Sequence, residues 1–233
     1  METIYAYQPL SMFSNDIYTV DGSFGKSPLG RRMTVVKVGQ ELIIHSAIRM
    51  EDKDLLALNQ LGRVSTILVP NTFHTADANF YKQKYPAARL LVPDHLTAKE
   101  LKNLKVDGVI TKDGGAWQKE LAPLAMAGTK SKEVIFFHKL SKSLILTDLA
   151  FNFVKSDFRG VASVLMSLNK ADRGLAPTRL SNYLFFQDKS ALAKSLREAL
   201  LWPFENIIVA HGHNLKGNGK AEFKKAFDCL LNP

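Results

Sequence analysis

Cysteine is nearly absent from this 233-residue chain, which contains only Cys229. A single cysteine cannot form an internal disulfide, and this excludes the small disulfide-stapled folds of secreted proteins. Cys229 lies in an apolar helical pattern, which predicts a buried structural thiol rather than a nucleophile.

Long apolar runs are also missing. No stretch approaches the roughly 20 apolar residues that a helix needs to span a bilayer. The first residues, METIYAYQPL, show no basic segment followed by an apolar one. We therefore expect a cytoplasmic protein with no membrane partner.

The chain carries 31 Lys and Arg against 22 Asp and Glu, a formal net charge of +9. Such a charge favours anionic substrates or weak association with nucleic acid. However, the basic residues are scattered and no long basic run is interleaved with aromatic residues. Nucleic-acid processing is therefore the weakest alternative, and we expect a small-molecule substrate or ligand.

Hydrophobic residues make up 46% of the chain, enough for one globular domain over residues 1–233. Residues 1–30 are rich in Tyr, Ser, Gly and Pro, and predict an irregular arm with one short strand at 17–20. The segments MTVVKV and ELIIHS then predict a hairpin. The apolar segments VSTILVP, RLLVP and VDGVI alternate with helical patterns, which is typical of parallel strands in an α/β protein.

The later part of the chain is richer in strands. The segments PLAMAG, EVIFFHK, SLILTDLAF and NIIVA each predict one strand. Helical patterns cover residues 156–170 and 189–201 and the C-terminal segment, whereas residues 175–182 predict a loop. The whole pattern predicts an α/β fold with mixed sheets.

Polar residues follow three of the predicted strands. His74 and Asp77 come after the first, Asp148 follows a buried run, and His211 and His213 follow a third. Because strand ends lie along one rim of an α/β sheet, these side chains can converge on one cleft. Histidine and carboxylate ligands suit zinc, manganese or iron, which can activate water for hydrolysis.

Each of these residues also has a structural interpretation. Asp77 can cap the following helix, His74 can hydrogen-bond to backbone in its loop, and Asp148 can form a turn. The recurrence of such groups at three strand ends favours the metal site.

Six stretches of the chain, taken in order, resemble the metallo-β-lactamase superfamily: RRMTVVKV, LIIHSAI, LGRVSTILVPNTFH, YPAARL, EVIFFHK and LILTDLAFN. More closely, they resemble a poorly characterised branch that carries a domain of unknown function. The resemblance implies a four-layer αββα sandwich of the metallo-β-lactamase type with mixed sheets. It also implies metal-dependent hydrolysis at loops along one rim.

The metal-binding pattern of that superfamily is only partly present. Its usual loop reads His, any, His, any, Asp, His, and only His74 matches by position, since Asp77 is displaced by one residue. No histidine stands near Thr129, where a middle ligand is expected. Glu133 is either a substitute for that ligand or a surface charge at a strand edge.

The resemblance places Asp148 at the bridging aspartate, and either His211 or His213 as the closing histidine. We therefore predict at most one metal ion, zinc, manganese or iron, held by His74, Asp148 and one of these two histidines. Asp148 is the catalytic candidate, and His45 is an outside candidate ligand. His95 and His138 are expected to be structural.

Two functions fit these residues. The first is a metal-dependent hydrolase that acts on an ester, lactone or phosphoester. The alternative is a non-catalytic protein without metal that keeps the fold to bind a small molecule or a protein partner.

Overall fold

A computed structural model describes residues 4–23, 25, 27–94, 96–101, 103–111 and 115–232. It has two compact units, Met1–Trp117 and Gln118–Pro233. Each unit combines helices with β-sheet, in agreement with the predicted α/β class and mixed sheets. The organisation of residues 1–233 as a single domain stays a prediction.

The first unit is built on a seven-stranded sheet in which the strands lie side by side in chain order. The first four strands pair antiparallel, and the last four are mutually parallel, so the predicted hairpin and the predicted parallel strands are both confirmed. The strands are β1 Ser11–Ser14, β2 Ile17–Gly22, β3 Arg31–Val38, β4 Glu41–His45, β5 Arg63–Leu68, β6 Arg89–Val92 and β7 Gly108–Val109. The helices are α1 Asp52–Leu61, α2 Ala78–Lys84 and α3 Ala98–Leu101.

The predicted short strand at 17–20 is confirmed as part of β2, but the prediction of an otherwise irregular arm over residues 1–30 needs correction. This segment contains both β1 and β2, and β2 pairs with β3 from Ile17 opposite Val36 to Gly22 opposite Arg31. The local sequence is rich in turn formers, but the neighbouring strand supplies backbone partners and Ile17 is fully buried. Tertiary pairing thus overrides the weak local preference.

The second unit has a four-stranded sheet in the order β13, β10, β9, β8 and a separate two-stranded hairpin of β11 and β12. Its strands are β8 Leu121–Ala125, β9 Val134–His138, β10 Ser143–Leu146, β11 Phe151–Val154, β12 Arg173–Ala176 and β13 Asn206–Val209. Its helices are α4 Gly160–Leu168, α5 Arg179–Leu184, α6 Lys189–Ala199, α7 Gly219–Ala226 and α8 Asp228–Leu231. Leu192 and Leu196 of α6 and Phe223 of α7 belong to one buried cluster with the sheet.

Three predictions about the second unit were wrong. The segment SLILTDLAF is not one strand, since it splits into β10 and the start of β11, which belong to different sheets. Residues 175–182, predicted as a loop, contain the end of β12 and the start of α5. Cys229 is exposed rather than buried, because α7 ends before it and the short α8 interrupts the helical periodicity on which the prediction depended.

None of the helices in the described part of the chain is long and apolar enough to cross a membrane.

Candidate metal centre

Asp148 and His211 come together because their strands are neighbours in register. β10 and β13 run parallel, with Leu146 opposite Val209, and each polar residue stands two positions beyond its strand. Asp148 Oδ1 lies 3.3 Å from His211 Nε2. Both side chains are largely buried, with 14% and 11% of their surface exposed, so the pair is well shielded from solvent.

The ring of His211 is held in a defined plane. It stacks on Phe151 with the ring centroids 5.2 Å apart and an angle of 24° between the planes. The backbone carbonyl of His211 accepts a hydrogen bond from Asn152 N at 3.1 Å. The β11 segment therefore fixes both the ring and the backbone of this histidine.

Gly212 separates the two histidines of the HGH motif. Its φ is +94°, and a Cβ atom at this position would lie 2.0 Å from the backbone oxygen of Asn152, so only glycine fits. His213 is turned to another partner: its Nε2 lies 2.8 Å from Asp157 Oδ1, and its side chain is 61% exposed. The structure therefore pairs His211, and not His213, with Asp148.

Asp157 is a further acidic residue beside this motif. Burial raises its pKa, but the hydrogen bond from Val154 N and the contact with His213 outweigh that effect and hold the pKa below its usual value. The carboxylate is thus kept ionised as a partner of His213.

Glu133 supports the loop that presents Asp148. Its two carboxylate oxygens accept hydrogen bonds from Thr147 N at 2.7 Å and from Asp148 N at 2.9 Å. The residue is fully buried, so the suggestion of a surface charge was wrong. Burial, with the nearby charge of Asp148, raises the pKa of Glu133 to about 7.

His74 belongs to the first unit, in the loop after β5. Asn71 Oδ1 accepts hydrogen bonds from Phe73 N and His74 N at 2.9 and 3.0 Å, which shapes the loop. The ring Nδ1 of His74 lies 2.6 Å from Ser46 Oγ. Ser46 is buried and has a φ of +57°, an uncommon backbone conformation for a residue other than glycine.

His45 lies at the end of β4 and is 2% exposed. Burial lowers its pKa to about 3, and the nearby His74 acts in the same direction. His45 is therefore a neutral side chain of the first unit's interior.

Asp77 is occupied within the first unit. Its Oδ2 lies 2.5 Å from Arg31 Nη2 and accepts a hydrogen bond from Arg49 N at 3.0 Å. Asp77 stands at the N-cap position of α2, but its side chain makes no capping hydrogen bond there. Its carboxylate instead ties β3 to the segment that follows β4.

His138 and His95 are the two histidines that we expected to be structural. His138 is buried in β9, and its Nδ1 lies 2.7 Å from Ser141 Oγ at the turn before β10. His95 lies outside the described residues.

Sequence reasoning missed Ser46, and it named Glu133 without finding its role as a support for the Asp148 backbone. Ser46 follows an apolar strand and carries no motif that relates it to His74. The position of Glu133 under the Thr147–Asp148 backbone depends on the pairing of β9 with β10, which runs from Ser143 opposite His138. The sequence offered one signal for Glu133, namely a charged residue directly before the buried strand β9.

Comparison with known proteins gives matches at the level of structure. No protein-family model and no curated protein sequence matches the chain. DIM-1 metallo-β-lactamase exposed to ceftazidime superposes with a TM-score of 0.66 and 11% identity, covering 98% of this chain and 99% of that one. The chain has the metallo-β-lactamase fold.

Other solved structures give the same result. A metallo-β-lactamase from Hirschia baltica matches with a TM-score of 0.63 and 9% identity, covering 97% and 99% of the two chains. The mono-zinc form of FIM-1 from Pseudomonas aeruginosa matches with a TM-score of 0.62 and 8% identity, covering 97% and 98%. At such low identities the metallo-β-lactamase fold is established and the reaction is not.

Proposed function

We propose that the chain is a metal-dependent hydrolase that binds one divalent metal ion through His74, Asp148 and His211. The contact between Asp148 Oδ1 and His211 Nε2, at 3.3 Å, carries the proposal. Two ligand atoms roughly 2.0–2.1 Å from a tetrahedral zinc ion lie about 3.3 Å apart. The carboxylate and the imidazole thus stand at the separation that a shared metal requires.

His74 is proposed as the third ligand because it matches the first histidine of the superfamily's metal-binding loop. Its Nδ1 contacts Ser46, so ligation would use Nε2, as in sites where an outer partner holds the second ring nitrogen. Two histidines and one carboxylate form a common donor set of catalytic zinc sites with an open fourth position. Manganese and iron accept the same ligands.

A single ion is favoured over two because Asp77 is already bound by Arg31 and by the backbone of Arg49. His213 is likewise paired with Asp157. FIM-1, a metallo-β-lactamase of similar fold, has a mono-zinc form, and this form is consistent with the single ion proposed here.

A divalent ion bound there would supply Lewis acidity toward the carbonyl or phosphoryl oxygen of an ester, lactone or phosphoester. The protein's own groups prepare the site. Glu133 fixes the backbone at Asp148, and Phe151 covers one face of the His211 ring. Both contacts reduce the movement of ligand atoms on substrate binding.

Metal analysis after loading with zinc, manganese or iron tests the proposal. We expect about one equivalent of metal in the parent protein and its loss in His74→Ala, Asp148→Ala and His211→Ala. His213→Ala is the matched control and should keep the metal, since this side chain contacts Asp157 instead.

A parent protein that holds no metal after exposure to excess of all three ions would overturn the proposal. The non-catalytic alternative would then account for the retained fold. Hydrolysis of esters, lactones and phosphoesters by the metal-loaded parent tests the reaction; His213→Ala, which keeps the metal, should retain the activity, and Asp148→Ala, which loses it, should not.

A further inference from the structure

The second unit carries a helix whose apolar side chains face away from the protein. None of the residues of α4, Gly160–Leu168, is buried. Val161, Val164, Leu165 and Leu168 are 77, 60, 60 and 62% exposed. Their spacing of i, i+3, i+4 and i+7 places them on one face of the helix, so the exposed side of α4 is a continuous aliphatic stripe.

A second helix, α5, also carries exposed apolar side chains. Leu180, Tyr183 and Leu184 of α5 are 52, 86 and 45% exposed and also share one helical face. The start of α5 is joined to the end of α4 by hydrogen bonds from Arg179 N to Asn169 O, at 2.9 Å, and from Leu180 N to Asn169 Oδ1, at 2.8 Å. We call these two helices with their exposed side chains the α4–α5 surface.

Exposed cations accompany the α4–α5 surface. Arg159 is the N-cap residue of α4, Lys170 follows its C-terminus, and Arg179 begins α5. The adjoining hairpin adds Lys155 and Arg173, which are also exposed.

The two acidic residues of this region are bonded within the protein. Asp157 contacts His213, and Asp172 accepts a hydrogen bond from Ser167 Oγ. Residues 154–184 thus contain five Lys and Arg against two Asp, a net charge of +3 from 5 − 2. The exposed charge around the aliphatic stripe is mainly positive.

We propose that the α4–α5 surface docks onto an anionic lipid bilayer. Aliphatic side chains with an aromatic residue on one helical face and Lys or Arg around them are the pattern of helices that lie in a membrane interface. Anionic headgroups complement the cations, whereas a second copy of the chain would bring the same positive charge against itself. The absence of a spanning run, which led us to expect no membrane partner, does not bear on a surface contact.

Sedimentation of the full-length protein with vesicles tests this proposal. We compare vesicles of phosphatidylcholine alone with vesicles containing phosphatidylglycerol, at low salt and in 0.5 M salt. We expect binding to the anionic vesicles at least tenfold above binding to the neutral ones, with most of it lost at high salt because of screening.

Two pairs of variants locate the contact. Leu165→Ser with Leu168→Ser should reduce vesicle binding about tenfold. Leu140→Ser with Leu201→Ser is the matched control, since these leucines are 65 and 80% exposed in the same unit but outside the α4–α5 surface. All variants change exposed side chains, and circular dichroism verifies their fold.

A second comparison concerns charge. Arg159→Gln with Lys170→Gln should reduce binding to anionic vesicles by about tenfold, whereas Lys139→Gln with Lys224→Gln, two exposed lysines outside the α4–α5 surface, should not.

Absence of binding to phosphatidylglycerol vesicles at low salt would overturn the proposal, as would equal losses in the control pairs. A concentration-dependent dimer that the Leu165 and Leu168 changes dissociate, without vesicle binding, would assign the surface to a second copy of the chain.

Discussion

Replacing Glu133 with glutamine should stabilise the metal-free protein above pH 8 and weaken its metal binding. Burial and the charge of Asp148 raise the pKa of Glu133 from 4.5 to about 7 in the folded protein. Between these two values the folded chain holds a proton at this carboxyl that the unfolded chain has released. Stability therefore falls as pH rises from 4.5 to about 7, and the loss is complete above that range.

The size of the effect follows from the two pKa values. Their difference corresponds to a cost of ionisation of about 3 kcal/mol, an upper limit for this interacting pair of carboxyls. Glutamine resembles protonated glutamate in offering one good acceptor to the two N–H groups of Thr147 and Asp148. The variant should therefore match the parent near pH 4 and exceed its melting temperature above pH 8, by about 2–4 °C for each kcal/mol.

Thermal unfolding from pH 4 to 9 with a metal chelator measures the difference. Glu120→Gln is the control, because this glutamate is exposed in the same unit and its change should leave the pH profile as in the parent. A Glu133→Gln protein that melts below the parent at pH 8 would refute the reasoning. It would show that the two hydrogen bonds to backbone N–H contribute more than the buried charge costs.

Metal binding should change in the opposite direction. The glutamine leaves one of the two backbone N–H groups without its acceptor and removes a negative charge next to Asp148. Loss of such an outer partner lowers metal affinity by about 10–100-fold. Calorimetric titration with zinc at pH 8 measures this, and an unchanged affinity would exclude a supporting role for Glu133.

Three further predictions concern other parts of the two units. Gly212→Ala should lower the free energy of unfolding, measured with denaturant, by on the order of several kcal/mol, because its Cβ would clash with the backbone of Asn152. Gly217→Ala, which is also at positive φ but has open space around it, should lower it less. His45→Gln should make the protein more resistant to unfolding by acid. The pKa of about 3 for His45 in the folded protein makes the parent lose stability as pH falls from 6.5 to 3, and glutamine does not titrate. Ser46→Ala should lower zinc affinity about tenfold by releasing His74 Nδ1, as measured by competition with a chelator.

The sequence was sufficient to predict which strand ends carry polar groups. Apolar runs followed by Asp148 and by His211 are local signals, and parallel strands bring their carboxyl ends to one edge. The structure confirms that these two strands are neighbours, with Leu146 opposite Val209. The contact between the two side chains was therefore within reach of the sequence, although the metal role itself stays a prediction.

The sequence could not predict which histidine of the HGH motif contacts Asp148. His211 and His213 stand two and four residues beyond the same strand, so spacing alone cannot separate them. The decision depends on the positive φ of Gly212 and on its close approach to Asn152, a residue 60 positions earlier in the chain. Such a contact depends on how β11 lies beside this loop, which no local pattern encodes.

The supporting roles of Ser46 and Glu133 could not be predicted from the sequence for the same reason. Ser46 contacts a residue 28 positions away, and Glu133 bonds to backbone 14 and 15 positions away. A serine after a strand and a glutamate before one are ordinary surface features by composition. Their burial becomes visible only when the pairing of strands is known.

The electrostatics of the second unit favour a metal-binding role over a non-catalytic one. Glu133 is fully buried, Asp148 is largely buried, and the charge of Asp148 disfavours ionisation of Glu133. A chain that only needed the fold would gain stability by replacing Glu133 with a neutral residue of similar size. A divalent cation beside Asp148 and His211 would offset both negative charges at once. The raised pKa of Glu133 beside Asp148 and His211 supports the proposed metal site, because perturbed groups of this kind cluster at functional sites.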